Sequence, residues 1–422
     1  MNERLTIRSF AGIRHLELDL RPINILIGSQ ATGKSICAKL LYHFKGFVFD
    51  VFSAVENEQT RQELDDGFLR EFEEYFPPDS WGHGAFAVRY AVGDEFIEVA
   101  KGESEKATTK LSYSPIFRDQ LRLGQREMKK TMEAHPDAAQ MDRWEAISTV
   151  REKLLDVACS QLGTGAGYSQ VFIPAGRSFF ANLQSSVFSF LSTNKAIDPL
   201  LTEFGRFYES MKRLQLRRHR HKARHNDLKR TIEKTVESIL HGKHVHEKGK
   251  DYLQHNDGRR TSLANASSGQ QELLPLATIL SLLPFVRFER RGFSIYIEEP
   301  EAHLFPTSQR AIVELLAMVF NTSANPLQFF VTTHSPYILT SLNNLMQAGY
   351  LLKRLPEDKH ARICEIVPKE QIIRPQDVSA YTLGAGSGDR LCCDETGLIP
   401  TNVIDEVSDA PSIQFGDLLE VQ

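Results

Sequence analysis

The chain has 422 residues, 41% of them apolar and 25% charged, with a formal net charge of −4. That length can bury a large core and suggests two or three domains. The charge balance excludes both a globally basic nucleic-acid coat and a disordered polyacid, so a surface for a charged partner has to be local. Five cysteines, Cys37, Cys159, Cys364, Cys392 and Cys393, show no C-x-x-C spacing. They read as free thiols of a reducing compartment, with neither a disulfide framework nor a zinc site. No secretory signal precedes the first strand-like residues. The longest apolar stretch, Leu273 to Val286, is too short for a bilayer and holds Pro275 and Pro284. The expected location is therefore the cytoplasm, with no membrane partner.

In chain order, "RLTIRSFAGIRHLELDL" alternates around a glycine and predicts an antiparallel strand pair. "INILIG" reads as a buried strand leading into a glycine-bearing loop and a helix from Lys34 to about Phe49, with more helix up to Phe76. "AFAVRYAVGDEFIEVA" predicts a hairpin turning at Gly93-Asp94. Ser114 to about Leu162 looks helical and polar, an insertion rather than a core layer. "VFIPAGRSFF" returns to strand and loop, and Phe207 to about His241 is helical and basic. "DYLQHNDGRRTSLANA" predicts another hairpin around Asp257-Gly258. From Ser267 to Val331 the order helix, strand, helix, strand is the alternation of a mostly parallel sheet. The fold class expected is therefore α/β, with a mixed or parallel core sheet, an antiparallel β subdomain and helical insertions.

"GSQATGKS" fits G-x-x-x-x-G-K-[ST] in full and stands between the predicted strand and helix, the context a phosphate-binding loop requires. Its residues are Gly28, Ser29, Gln30, Ala31, Thr32, Gly33, Lys34 and Ser35. Backbone N–H groups at a helix N-terminus favour anions, and Lys34 adds a charge for the β- and γ-phosphates. The Ser35 hydroxyl is placed to bind Mg²⁺. A nucleoside triphosphate, ATP, is the expected ligand.

"FSIYIEEP" ends an apolar strand in two carboxylates, Glu298 and Glu299. Successive strand residues face opposite ways, so the pair can divide the work. Glu298 is expected on the Mg²⁺ side, and Glu299 is expected to orient and deprotonate water for in-line attack. Like charges this close are costly unless a cation stands near. Two weaker signals follow. Ser267, Ser268, Gly269 and Gln270 open an apolar helix, either as a phosphate-seeking N-terminus or as ordinary capping. His334 ends the strand in "FFVTTHSPYIL", either as a structural hydrogen bonder or as a catalytic group.

Taken in order, the P-loop, S-S-G-Q, "IYIEEPEAHL" and "VTTHS" resemble the ATP-binding-cassette (ABC) ATPases. More narrowly they resemble the AAA15/AAA21-type branch that includes the OLD nucleases and the ATPase subunits of Septu- and PARIS-like antiphage systems. The resemblance covers Met1 to about Lys45 and Asp251 to about Leu342. It implies an ABC-type P-loop ATPase fold, with Glu298 as the magnesium-side acid and Glu299 as catalytic base. It also implies that Ser267 and Gly269 contact the γ-phosphate and that His334 polarises the γ-phosphate and water. ATP would then be sandwiched in a head-to-tail homodimer. Three positions depart from the pattern: Glu298 stands for an Asp, Ser268 for a Gly, and Phe305 for an Asp. No Q-loop glutamine is assigned; Gln170 and, facing the nucleotide in its place, Arg177 are the candidates.

The organisation this suggests is an N-terminal ATPase lobe over 1–112, a helical insertion over 113–165 and a core segment over 166–206. A basic helical arm over 207–250, a C-terminal ATPase lobe over 251–390 and an acidic extension over 391–422 follow. In the arm, nine Lys and Arg between Lys212 and Arg230 face the single Asp227, a pattern fit either for a phosphate backbone or for a solvated arm. The histidines His219, His221, His225, His241, His244 and His246 match no zinc spacing, so no metal beyond Mg²⁺ is expected. From Asp394 onward there are seven acids and no Lys or Arg, which suits either a docking tail or a solvated end.

The residues after His334 are few for a Toprim domain and contain no D-x-D pair, so the chain is expected to lack its own nuclease. By family resemblance it would control an HNH- or Toprim-type nuclease or toxin on another polypeptide. The alternative is a RecF- or SMC-like clamp on DNA, and a third reading is a scaffold that binds nucleotide without hydrolysing it.

Overall fold

In the computed structural model the described residues are 2–82, 84–104, 107–134, 140–182, 198–220, 227–247, 250–286 and 291–400. The acidic residues beyond 400 and the middle of the basic arm, including the side chains at 215–226, lie outside them.

The sheet that positions the site has six strands. They are β3 (Ile23–Ile27), β7 (Ser169–Ile173), β11 (Phe293–Glu298), β12 (Leu327–Thr333), β13 (Val378–Gly384) and β14 (Ser387–Arg390). Their order is β14-β13-β3-β12-β11-β7, and all but β14 run parallel. β3, β11 and β12 are buried at every residue, as expected where both sheet faces are covered.

Alternation along these strands divides their side chains between two cores. Ile25, Ile27, Ile295, Ile297, Phe329 and Val331 enter one, while Leu26, Tyr296 and Phe330 enter the other. Across neighbouring strands, the rings of Tyr296 and Phe330 stack at 4.7 Å with 9° between planes. The uninterrupted apolar runs are therefore two half-patterns superimposed.

The first core is closed by α6 (Pro199–Arg220), α7 (Asp227–Leu240), α8 (Ser268–Leu282), α9 (Pro306–Thr322) and α10 (Pro336–Arg354). The second is closed by α1 (Lys34–Glu56), α2 (Arg61–Tyr75), α3 (Pro115–Ala134) and α4 (Gln140–Leu162). Between α4 and α6 lies the short α5 (Phe179–Asn182). An antiparallel sheet of order β2-β1-β4-β5-β6 packs into that second core. It comprises β1 (Glu3–Phe10), β2 (Ile13–Leu20), β4 (Phe86–Val92), β5 (Glu95–Lys101) and β6 (Lys110–Tyr113).

The hairpin pairs foreseen from alternation all form, including β9 (Lys250–Gln254) with β10 (Arg260–Ser262). The segment α3–α4 differs from its expectation. It is no detached insertion: Phe117, Leu121, Met128, Val150 and Leu154 are buried in the second core. Its apolar residues are sparse enough for the sequence to look polar, yet they line one stripe, which suffices to dock a helix. Among the described residues no helix is long and apolar enough to cross a membrane.

Candidate nucleotide site

Parallel pairing sets the site. Glu298 is level with Thr332, and Thr333 is level with Ile27. The ends of β11 and β12 and the loop after β3 therefore meet at one edge of the sheet. The P-loop wraps from Ile27 to the N-terminus of α1, whose cap Gly33 has φ 96° and makes no side-chain cap bond. No acid occupies the first turn. The first N–H groups of α1 thus face the loop without a carboxylate competing for them, as an anion site requires. Glycine is obligatory at two points. A Cβ on Gly28 would stand 2.3 Å from the Leu383 carbonyl oxygen of β13, and one on Gly33 would stand 2.8 Å from Ile13 Cδ1.

Lys34 folds back over this loop. Its Nζ donates to the carbonyls of Gly28 at 2.8 Å and Ser29 at 2.7 Å, and lies 3.4 Å from His334 Nδ1. Burial lowers the Lys34 pKa, while the nearby charges of Glu299 and Glu301 oppose that shift. An ammonium held by carbonyls at the mouth of an amide-lined loop is poised to exchange those carbonyls for phosphate oxygens.

His334 bridges the lysine to the second glutamate, with Nε2 at 3.2 Å from Glu299 Oε1. Glu299 sits just past the strand, its N–H donating to Thr332 O at 2.9 Å, with φ 43°. That left-handed turn is strained for a residue with a long side chain and swings the carboxylate outward. Glu298 faces inward. Its Oε2 accepts from the Ala175 N–H at 3.3 Å, while its buried Oε1 has no hydrogen-bond partner among the described residues. A buried carboxylate oxygen left without a donor suits a cation, so Glu298 fits a hard divalent ion.

Two residues at the site carry roles that the motif reading did not assign. Glu301, also buried, accepts through Oε1 from the Thr333 hydroxyl and the His334 N–H, each at 2.7 Å. It holds the turn that presents His334. The spacing of a third acid in "EEPEAH" was the visible signal. Arg177 is fully enclosed, at 0% exposure. It donates to the carbonyls of Pro174 (3.0 Å), Glu272 (2.9 Å), Glu298 (2.7 Å) and Glu299 (2.9 Å). It is thus committed beneath the glutamate pair and does not face the nucleotide site as its sequence position suggested. Losing it would orphan buried carbonyls at about 1–3 kcal/mol each.

Gln170 is likewise placed away from the site. It lies early on β7, where Oε1 accepts from the Tyr296 hydroxyl at 2.7 Å and Nε2 donates to Tyr168 O at 2.8 Å.

Ser267 to Gln270 form a capping box on α8. Gln270 N donates to Ser267 Oγ at 3.4 Å, Ser267 N donates to Gln270 Oε1 at 3.1 Å, and Gln270 Nε2 donates to Leu240 O at 2.7 Å. Gly269 packs under the turn after β11, where a Cβ would meet His303 O at 2.7 Å. Among the described residues no hydrogen bond joins this group to the P-loop of the same chain. Of the residues singled out by motif, the fold brings Lys34, Glu299 and His334 into direct contact and sets Glu298 beside them in the strand; Ser267–Gln270 remain a separate, self-capped group.

The sheet order, the P-loop and the strand-end acids with a histidine define a P-loop NTPase fold. The profile of the family described as "AAA domain, putative AbiEii toxin, Type IV TA system" matches residues 23–340. The chain belongs to this AAA21 family.

Among solved structures, an SmcHead bound to the C-winged helix domain of ScpA is 10% identical. The match covers 92% of this chain and 96% of that one, with a TM-score of 0.37. The SMC head domain from Thermotoga maritima is 12% identical over 92% and 97%, with a TM-score of 0.36. An Smc head with an extended coiled coil, bound to the C-terminal domain of ScpA from Pyrococcus furiosus, is 11% identical over 92% and 95%, with a TM-score of 0.38. Likenesses this distant carry no functional inference. A search of curated proteins finds no match.

Proposed function

We propose that this protein binds and hydrolyses ATP and uses the cycle to control a separate nuclease or toxin effector in bacterial antiphage defence. The observation that carries the enzymatic part is the contact chain from Lys34 through His334 to Glu299, drawn from three sequence segments. In this reading the N–H groups of Gly28 to Ser35 hold the β- and γ-phosphates, and Lys34 leaves the Gly28 and Ser29 carbonyls for a phosphate oxygen. Ser35 and Glu298 would hold Mg²⁺, which supplies charge neutralisation on the phosphates when bound.

Glu299 accepts the proton of the attacking water, with His334 aligning that water and donating to the γ-phosphate as charge builds there. A half-buried carboxylate at a strained turn suits that task, because the contact it makes is to the His334 imidazole rather than to backbone N–H groups. Among the described residues, the hydrogen bonds of Ser267 and Gln270 stay within their own cap and with Leu240, and none reaches the P-loop of the same chain. The place of Ser267 to Gln270 at a helix N-terminus suits contact with ATP held by a second copy, in a head-to-tail homodimer. The family description names a putative toxin and a type IV toxin–antitoxin system, which is in keeping with a place in a toxin-based system; the separate effector is inferred from the sequence resemblance.

The test of the enzymatic reading is a pair of variants. Lys34→Ala should abolish nucleotide binding, while Glu299→Gln should bind ATP and accumulate closed dimers with turnover reduced about 10²–10⁴-fold. Normal turnover in Glu299→Gln would refute the assignment. For the effector, co-purification from the native operon should recover a nuclease or toxin. Salt-sensitive binding of the isolated chain to duplex DNA, with no such partner recovered, would replace that assignment with a DNA clamp.

A further inference from the structure

Beneath the site lies a connection that the nucleotide chemistry does not itself use. Arg177 spans three segments: the loop after β7 through Pro174, the start of α8 through Glu272, and the end of β11 through Glu298 and Glu299. Glu272 lies on the helix that begins with Ser267–Gln270, so one guanidinium joins that helix to both carboxylate-bearing residues.

We propose that Arg177 is a positioning residue that couples α8 to Glu298 and Glu299, so that whatever engages the N-terminus of α8 reorients the catalytic glutamate. The proposal rests on the nucleotide reading above and assigns that site its internal relay.

Two features favour a coupler over a passive clamp. First, enclosing a full cation costs desolvation that neutral carbonyls repay less well than a carboxylate would. The nearby carboxylate, Glu272 Oε2, stands 3.6 Å from Nε, is itself buried, and has no hydrogen-bond partner among the described residues. Second, Nε therefore has two acceptors on the same residue, the Glu272 carbonyl that it uses and the carboxylate that it does not. Nε carries a single N–H, so it can take up the carboxylate only by releasing the carbonyl, while both N–H groups of Nη1 and one of Nη2 stay engaged with Pro174, Glu298 and Glu299. A small shift of α8 along its axis would trade one arrangement for the other while Nη1 and Nη2 keep hold of Glu298 and Glu299. Two discrete hydrogen-bond sets on one side chain make a two-position element, which a ligand can bias.

The experiment uses the full chain with Arg177→Lys, Glu272→Gln and the double variant. Lysine keeps the charge but loses the planar fork. Three readouts are taken: affinity for a fluorescent ATP analogue, steady-state turnover, and amide hydrogen exchange with and without a non-hydrolysable ATP analogue. In the wild type, the analogue should slow exchange together in the first turns of α8 and at 299–304. In Arg177→Lys the two segments should respond separately, with analogue affinity within threefold of wild type and kcat at least 30-fold lower at unchanged KM. Glu272→Gln should lower kcat severalfold in the wild-type background and less than twofold beside Arg177→Lys.

A folded Arg177→Lys with kcat within threefold of wild type would overturn the proposal. So would additive effects of the two substitutions, or exchange that rises uniformly over the molecule. If Arg177→Lys does not fold, unaltered joint protection in Glu272→Gln overturns it and split protection supports it. A wild type that binds the analogue without turning ATP over would refute hydrolysis while leaving the exchange comparison decisive for the relay.

Discussion

His334 touches both Lys34 and Glu299, with Nδ1 3.4 Å from the ammonium and Nε2 3.2 Å from the carboxylate. An imidazole with an acceptor at one nitrogen and a donor at the other transmits charge between them, and its tautomer follows from these partners. These partners favour the tautomer in which Nδ1 accepts from the Lys34 ammonium and Nε2 donates to Glu299. When Lys34 turns to a phosphate, that Nε2 proton can be offered to a phosphate oxygen or to water.

Replacing His334 by alanine removes the bridge, while Lys34 keeps its bonds to the Gly28 and Ser29 carbonyls of the phosphate loop. Turnover should fall about 10²–10³-fold, the usual cost of losing one transition-state donor. ATP-analogue affinity should stay within a fewfold of wild type. Single-turnover kinetics and equilibrium titration separate the two effects, and a loss of affinity equal to the loss of turnover would place His334 in ground-state binding instead.

Glu301 acts through His334, so Glu301→Ala should mimic that defect in part, because the His334 N–H and the Thr333 hydroxyl lose their shared acceptor. Residues acting as a unit are non-additive. Glu301→Ala in a His334→Ala background should therefore cost turnover less than threefold further, measured as kcat. A full second penalty would give Glu301 an independent task.

Gly28→Ala tests the cradle by shape. The new Cβ would enter the van der Waals radius of the Leu383 carbonyl oxygen, displacing the loop from β13. Overpacking of this kind costs about 1–3 kcal/mol, and ATP-analogue affinity should drop at least about tenfold. Isothermal titration and a melting curve check the two effects, and an unchanged affinity would mean that the loop is not the phosphate site.

A polar cavity between α1, α2 and α6 offers a pH test away from the site. It is lined by Tyr42, His43, Asp50, Glu71, Tyr75 and Glu203. Burial, with Glu71 adding to it, pushes the Asp50 carboxyl up from the ordinary 3.8 to about 8. The folded chain thus keeps a proton there that the unfolded chain releases. The associated stability is present below about pH 4 and is lost as pH rises toward about 8. Asp50→Asn removes this dependence, so the melting temperature of the variant relative to wild type should be higher at pH 8 than at pH 5. An equal difference at both pH values would show that Asp50 titrates normally.

Local chemistry made much of this protein readable in one dimension. The P-loop is a contiguous motif because its work is done by consecutive backbone amides. β3, β11 and β12 are continuous apolar runs because helices cover both faces of their sheet, and the hairpins announce themselves through alternation and glycine turns. Glu298, Glu299 and His334 were legible as strand-end residues for the same reason. The polar look of α3–α4 misled, because one apolar stripe per helix is diluted when read along the chain.

What the amino-acid order determined alone was the inventory: a phosphate loop, paired acids, a strand-end histidine and a capped helix. Only the tertiary structure decided who touches whom. Parallel pairing brings residues some 300 positions apart to one edge, turns Arg177 inward onto four carbonyls, and makes Glu301 the anchor of His334. Those contacts depend on strand register and on the competition among buried donors for acceptors, both properties of the packed chain that no local stretch encodes.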